Sequence, residues 1–276
     1  MDSDDAITES AMNELYSIAD SFNADVVDCE SFYNVNNKFW NVRNMNKDIL
    51  KVKVTYKKVN EPTLLSEDLN ERMIDFSNRR FRYPLWTKLI KRDFLIKNEL
   101  EMINSLSGNE DAVLTCCMLC LAKRYVLIPN TVIFYRVNEK SVSHIQDSVQ
   151  KIFHIHLDGM SKGFKYLDDF FNNTEFLEQR GDLKFLALDF LLKECFFYLS
   201  KFFTQVPQHQ LYELIRQELS KVSDKTAFAS FLLSRVNSFY LQLRQQGELI
   251  QQMNLHIQKQ NQALQQYQAK INELQR

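Results

Sequence analysis

The strongest periodicity in the chain lies near its C-terminal end. Val236, Leu243, Ile250, Ile257, Leu264 and Ile271 recur at every seventh residue. Phe239, Gln246, Met253, Gln260, Tyr267 and Leu274 follow them at a spacing of three. Apolar residues at every a position and at most d positions predict a coiled coil over 233–276, left-handed because the repeat is seven residues. Gln246 and Gln260 at d weaken the seam and can fix its register. A seam of this kind needs a partner: self-association is the leading expectation, with docking on another protein or packing back on this chain as alternatives.

Upstream, residues 148–232 read as a helical region. Phe153, Leu157, Met160, Phe164 and Leu167 recur at helical spacing. The greasy run 183–203 is interrupted by Lys184, Asp189, Lys193, Glu194 and Lys201, which predicts a buried core helix rather than a membrane span. A helix lying on a membrane surface is its alternative. Pro207 opens a connection to the short amphipathic helix QLYELIRQELSKV.

Residues 1–147 alternate between the two periods, which predicts a mixed α/β unit. A helix is expected over 8–22 with Thr8 as N-cap, then a buried strand in ADVVDCESFY. KVKVTYKK within 38–60 predicts an edge strand or hairpin with lysines guarding the edge. Pro84 and Trp86 introduce a predicted helix carrying Leu89, Ile90, Phe94 and Leu95. The apolar run 111–123 predicts a buried helix, and YVLIPNTVIFYRV two strands around Pro129 and Asn130.

Composition narrows the function classes. The chain has 276 residues, 45% hydrophobic and 25% charged, as in globular proteins. A formal charge of −1 gives no electrostatic reason to expect nucleic-acid binding. Five cysteines at irregular spacing are no disulfide framework. Cys116, Cys117 and Cys120 sit in an apolar run as small hydrophobes, and the implied compartment is reducing, hence cytoplasmic. The N-terminal MDSDDAITES lacks the basic start and apolar core of a signal peptide. His154 and His156 in FHIHLDG point apart on a helix and make a poor metal pair.

Candidate chemistry begins at Asp2, Asp4 and Asp5. Clustered carboxylates are hard oxygen ligands suited to Mg2+ or Mn2+ shared with a phosphate, although an acidic N-terminus alone is more often a solvated face. Glu110 and Asp111 precede a helix, where acidic caps are also common. Three ordered stretches change this picture: DSDDAITESAMNELYSIADSFNADVVDCESF, LWTKLIKRDFLIKNEL and NEDAVLTCCMLCLAKRYVLIPNTVIFYRVNEKSVSH. Together they resemble the family 2 glycosyltransferases of GT-A fold. The likeness runs from the DxDD strand end, through the W-x-K-L segment and the E-D motif, to the Y-R-x-x-x-x-S-x-S close.

The resemblance implies an α/β fold class: a partial GT-A (Rossmann-like) glycosyltransferase domain at 1–147, followed by the helical region 148–232 and the coiled coil 233–276. It implies that about three βα units of ~30 residues each precede the stretch corresponding to Met1, so that an unpaired sheet edge is expected. Asp2 and Asp4, supported by Asp5, would hold Mg2+ or Mn2+ against a nucleotide-sugar diphosphate. Asp111 beside Glu110 would be the general base in an inverting transfer to a saccharide or other hydroxyl acceptor. Trp86 and Lys88 would line the acceptor cleft, their alternative being a buried tryptophan and a surface lysine. Arg136, Ser141 and Ser143 would approach the diphosphate or acceptor, or else form a strand-end ion pair and turn. The implied setting is bacterial surface polysaccharide or glycoconjugate synthesis in the cytoplasm, with association at the inner membrane face left open. The competing function is a non-catalytic scaffold that oligomerises through its coiled coil.

Overall fold

The computed structural model describes residues 5–36, 51–54, 58–81, 83–103, 106, 109–137, 149–203, 207–221 and 226–274. β1 (Ala6–Ile7) leads to α1 (Ala11–Ser21), then β2 (Val26–Cys29), β3 (Ser31–Asn36), β4 (Lys51–Val54) and β5 (Thr63–Leu64). α2 (Leu69–Ser77), a 3-10 turn (Leu85–Thr87), β6 (Lys88–Ile90), α3 (Arg92–Lys97) and α4 (Glu110–Leu121) follow. β7 (Tyr125–Ile128) and β8 (Ile133–Val137) close the mixed part. α5 (Val149–Asn173), α6 (Gly181–Phe203), α7 (Gln208–Lys221) and α8 (Thr226–Leu274) complete the chain.

Two parallel strands run side by side through two sheets in turn. β2 and β7 pair in parallel at the centre of the sheet ordered β5-β7-β2-β6, and every residue of both is buried. Such strands read as continuous apolar runs because both faces are covered. After one residue, Glu30, the chain enters β3; after Pro129–Val132 its neighbour enters β8. These two are again parallel partners, in the second sheet, ordered β1-β8-β3-β4. The break at Glu30 is built in: its carboxylate is buried, and Oε2 accepts the Val59 backbone N–H. ADVVDCESFY therefore supplies two strands in two sheets, where one was expected.

Two further expectations change. The first helix starts at Ala11 with Ser10 as its N-cap residue, while Thr8 still belongs to the strand pairing, its N–H donating to the Val132 carbonyl at 2.8 Å as β1 leaves β8. Leu89 and Ile90 lie in β6, not in a helix: Val26 and Val27 of β2 pair with them in antiparallel register, and the helix begins only at Arg92. Among the described residues β6 is an outermost strand, paired on one side. β4 is likewise an edge strand, as KVKV predicts; residues 37–50 lie outside the described residues.

The larger core joins the sheet to the helical region. α4 is buried around its whole circumference, from Ala112 to Cys120, so no amphipathic stripe is visible in its sequence. α2 packs on α6 through Phe76 and Phe190, with ring centroids 4.0 Å apart. Gly163 brings α5 close to α4 and α6; a Cβ there would meet Val113 Cγ2 at 3.2 Å and Leu191 Cδ1 at 3.3 Å. The two acidic residues that interrupt α6 are matched: the Ser77 hydroxyl donates to Asp189 at 3.0 Å, and Arg79 pairs with Glu194 at 2.7 Å. No helix among the described residues is long and apolar enough to cross a membrane.

α4 ends on a buried arginine. Its last carbonyls need partners, and Arg72 of α2 supplies them, only 3% exposed itself. Its guanidinium donates to the Leu119 and Ala122 carbonyls, and Nε donates to Ser66 O. Arg72→Leu leaves buried carbonyls unsatisfied and should cost about 2–4 kcal/mol. A urea melt with an unchanged m-value checks this; a loss below half a kcal/mol would contradict the capping role.

Candidate functional site

The segment between α2 and β6 is pinned from both sides. α4 holds it through two residues one turn apart on the same face: the Leu85 N–H donates to Asp111 Oδ2 at 3.2 Å, and the Thr115 hydroxyl donates to the Tyr83 carbonyl at 2.8 Å. Within the turn the Thr87 hydroxyl lies 2.8 Å from Pro84 O and 2.9 Å from Asp28 Oδ1. Lys88 turns inward. Its Nζ sits 3.2 Å from Asp28 Oδ2 and donates to Pro84 O at 3.0 Å.

Asp28 and Lys88 form an enclosed ion pair, with side chains 2% and 0% exposed. The Tyr125 hydroxyl donates to Asp28 Oδ2 at 2.8 Å. Burial pushes the Asp28 carboxyl up and the Lys88 ammonium down, while each charge pulls the other back toward ionisation. Asp111 acts on Lys88 in the same sense, so its carboxylate lies within electrostatic reach of the pair. Beside it, burial pushes the Cys29 thiol up to about 12 and leaves it inert.

Trp86 leaves the turn in the other direction. It stacks on Tyr135, with centroids 5.3 Å apart, and meets Phe32 edge-on at 5.0 Å. The next residue, Arg136, donates its backbone N–H to Asp5 Oδ1 at 2.9 Å. Asp111, Trp86, Lys88, Arg136 and Asp5 thus belong to one chain of neighbours. Asp2, Asp4, Ser141 and Ser143 lie outside the described residues. Lys88 is not the surface lysine its residue type suggests.

At the start of α4 two further polar atoms, Asn109 Nδ2 and Glu110 Oε2, are buried with no hydrogen-bond partner among the described residues. Such groups are rare where no ligand is meant to meet them. Asn109, Asp28, Thr87 and Tyr125 carry no motif of their own. Only the near-unbroken apolar context around Asp28 signals that its charge must find a buried partner. No cluster of three metal-binding side chains occurs among the described residues.

No protein-family model and no curated protein matches the chain. Among solved structures, TarS 1–349 from S. aureus in complex with UDP-GlcNAc is similar, with a TM-score of 0.52 and 16% identity. The match covers 84% of this chain and 58% of that one. The two chains share a fold over that stretch. The same segment of TarS in complex with UDP is similar at 15% identity and a TM-score of 0.48, over 78% of this chain and 52% of that one. The chain therefore spans less than two thirds of TarS 1–349, and at such identity the likeness is one of fold.

Removing one partner of an enclosed ion pair strands the other charge. Lys88→Met should destabilise the protein by ~3–5 kcal/mol, and Asp28→Leu combined with Lys88→Met should recover much of that loss. Thermal melts of the two single variants and the double variant check the coupling; strictly additive losses would contradict it.

Proposed function

We propose that the chain is the acceptor-side part of a family 2 glycosyltransferase that takes a sugar from a UDP-sugar and passes it to a hydroxyl acceptor with inversion. The observation that carries this reading is the placement of Asp111: it stands at the N-terminus of α4, on the turn that bears Trp86, inside a glycosyltransferase fold. In the ionised form its carboxylate is an acceptor of protons. Oδ2 is oriented by the Leu85 N–H, and the carboxylate stands at the start of α4 within electrostatic reach of Lys88. Asp111 takes the proton of the acceptor hydroxyl as that oxygen attacks the anomeric carbon, while the bond to the UDP oxygen breaks on the opposite face. Glu110 and Asn109, with their unsatisfied buried atoms, are positioned to meet the acceptor.

The aromatic wall of Trp86 and Tyr135 offers an apolar platform for a sugar ring. Arg136, Ser141 and Ser143 are the proposed contacts to the donor phosphates. Asp2, Asp4 and Asp5 supply hard carboxylate oxygens, which fits a divalent cation; Asp5 is already anchored through Arg136 beside the strands of the second sheet. Bound there, Mg2+ or Mn2+ would neutralise charge on the departing diphosphate. The setting proposed is surface polysaccharide or glycoconjugate assembly at the cytoplasmic face, with self-association through the seam at 236–274.

In the native protein, Asp111→Asn should lower the release of UDP from UDP-GlcNAc by ~10²–10⁴-fold while the circular dichroism spectrum is unchanged. Undiminished release would remove Asp111 from the role of base. EDTA should abolish release from the wild-type protein, and added Mn2+ or Mg2+ should restore it. Release that is indifferent to both would mean the three aspartates hold no catalytic metal.

A further inference from the structure

α8 uses one stripe for two purposes. At its base the first a and d residues of the heptad pattern pack on the chain's own body: Val236 is buried in the main core, and the Phe239 ring lies 5.5 Å from Phe196 of α6. The Tyr212 hydroxyl of α7 bonds Asn237 beside them. Further along, Ile250, Met253, Ile257 and Leu264 continue the same stripe but are 49–70% exposed. A seven-residue repeat drifts only ~20° per turn of the pattern on a straight helix, so the exposed seam faces the side on which the body sits.

From this geometry we propose that the seam is filled by α8 of a second copy running antiparallel; the inference rests on the reading that the seam drives self-association. In a parallel pair both bodies would lie at the same end and on the inner side of the seam, wedged between the two helices. In an antiparallel pair they lie at opposite ends. Each base then presents its open groove of about 540 Å³, lined by Phe196, Phe197, Phe239 and Gln242 among others, to the last turns of the partner's helix. Pairing Ile257 with Met253 of the partner subunit centres the assembly on Leu255 and places both amides at d against aliphatic a residues.

The flanks of the seam favour a second copy over a foreign chain. Gly247, Leu249, Asn254, His256, Asn261, Ala263 and Gln268 occupy its e and g positions, with Lys270 near the C-terminal end as the one charged residue, which an antiparallel pair keeps far from its counterpart. These carry no charge code of the kind that selects a different partner, and nothing in them repels an identical helix. The pocket wall is also charge-balanced: Lys193 pairs with Asp189, and Arg79 with Glu194.

The five native cysteines are all buried, so a Leu241→Cys variant can be spin-labelled selectively at an outward position. In the antiparallel pair Leu241 lies fourteen residues from the midpoint, and two labels stand ~42 Å apart along the axis at 1.5 Å per residue. A parallel pair brings them within about two helix diameters, ~20–25 Å. A dimer by sedimentation with the long distance is expected, as is at least a tenfold weaker dimer for Phe197→Glu with unchanged circular dichroism. A dimer with the short distance overturns the orientation but leaves self-association standing. A wild-type monomer overturns both, and an unchanged dissociation constant for Phe197→Glu overturns the role of the groove.

Discussion

Lys88 is drawn into the protein by Asp28, and much of the site's geometry follows from that attraction. An ammonium group without solvent must satisfy its donors locally, and it does so on the Asp28 carboxylate, the Pro84 carbonyl and the Thr87 hydroxyl. Meeting those demands folds Pro84–Thr87 into a tight turn. The turn in turn aims the Leu85 N–H at Asp111 and swings Trp86 toward Tyr135. A buried pair of this kind adds little to stability against an apolar replacement. Its value here is positional, since it fixes the turn to which both α4 and the second sheet are tied.

The helical region extends the same core. α6 lies against α2, α5 lies against α4, and Arg72 closes the carbonyl end of α4 from within. The residues around Asp111 are therefore backed by packed helices. The TarS likeness extends over 84% of this chain, so much of the helical part shares in it.

Much of this was legible in the sequence, and the misses have identifiable causes. The α4 run, the two strands flanking Pro129 and the long C-terminal helix follow from apolar continuity, turn residues and heptad spacing. ADVVDCESFY was harder, because a switch between sheets at Glu30 depends on a contact with Val59 far along the chain. Leu89 and Ile90 have helix-compatible spacing, yet pairing with β2 outweighs that local preference. Asp111, Glu110, Trp86 and Arg136 were visible as candidates through their motifs. Asp28, Thr87 and Tyr125 were not, since a buried hydrogen-bond partner leaves no periodic trace, and Asn109 sits in no motif.

The twin crossing from one sheet to the other has a mechanical consequence. β2 enters β3 and β7 enters β8 at the same level, bridged there by Glu30 N–H to Ile128 O and by the Ser31 and Thr131 hydroxyls. Two cross-tied strands resist bending far better than one, as the rails of a ladder hold each other's spacing. Opening or closing between the sheets would have to shear those rungs. The spacing of the two sheets at that level is thus a fixed dimension of the fold, set by its rungs.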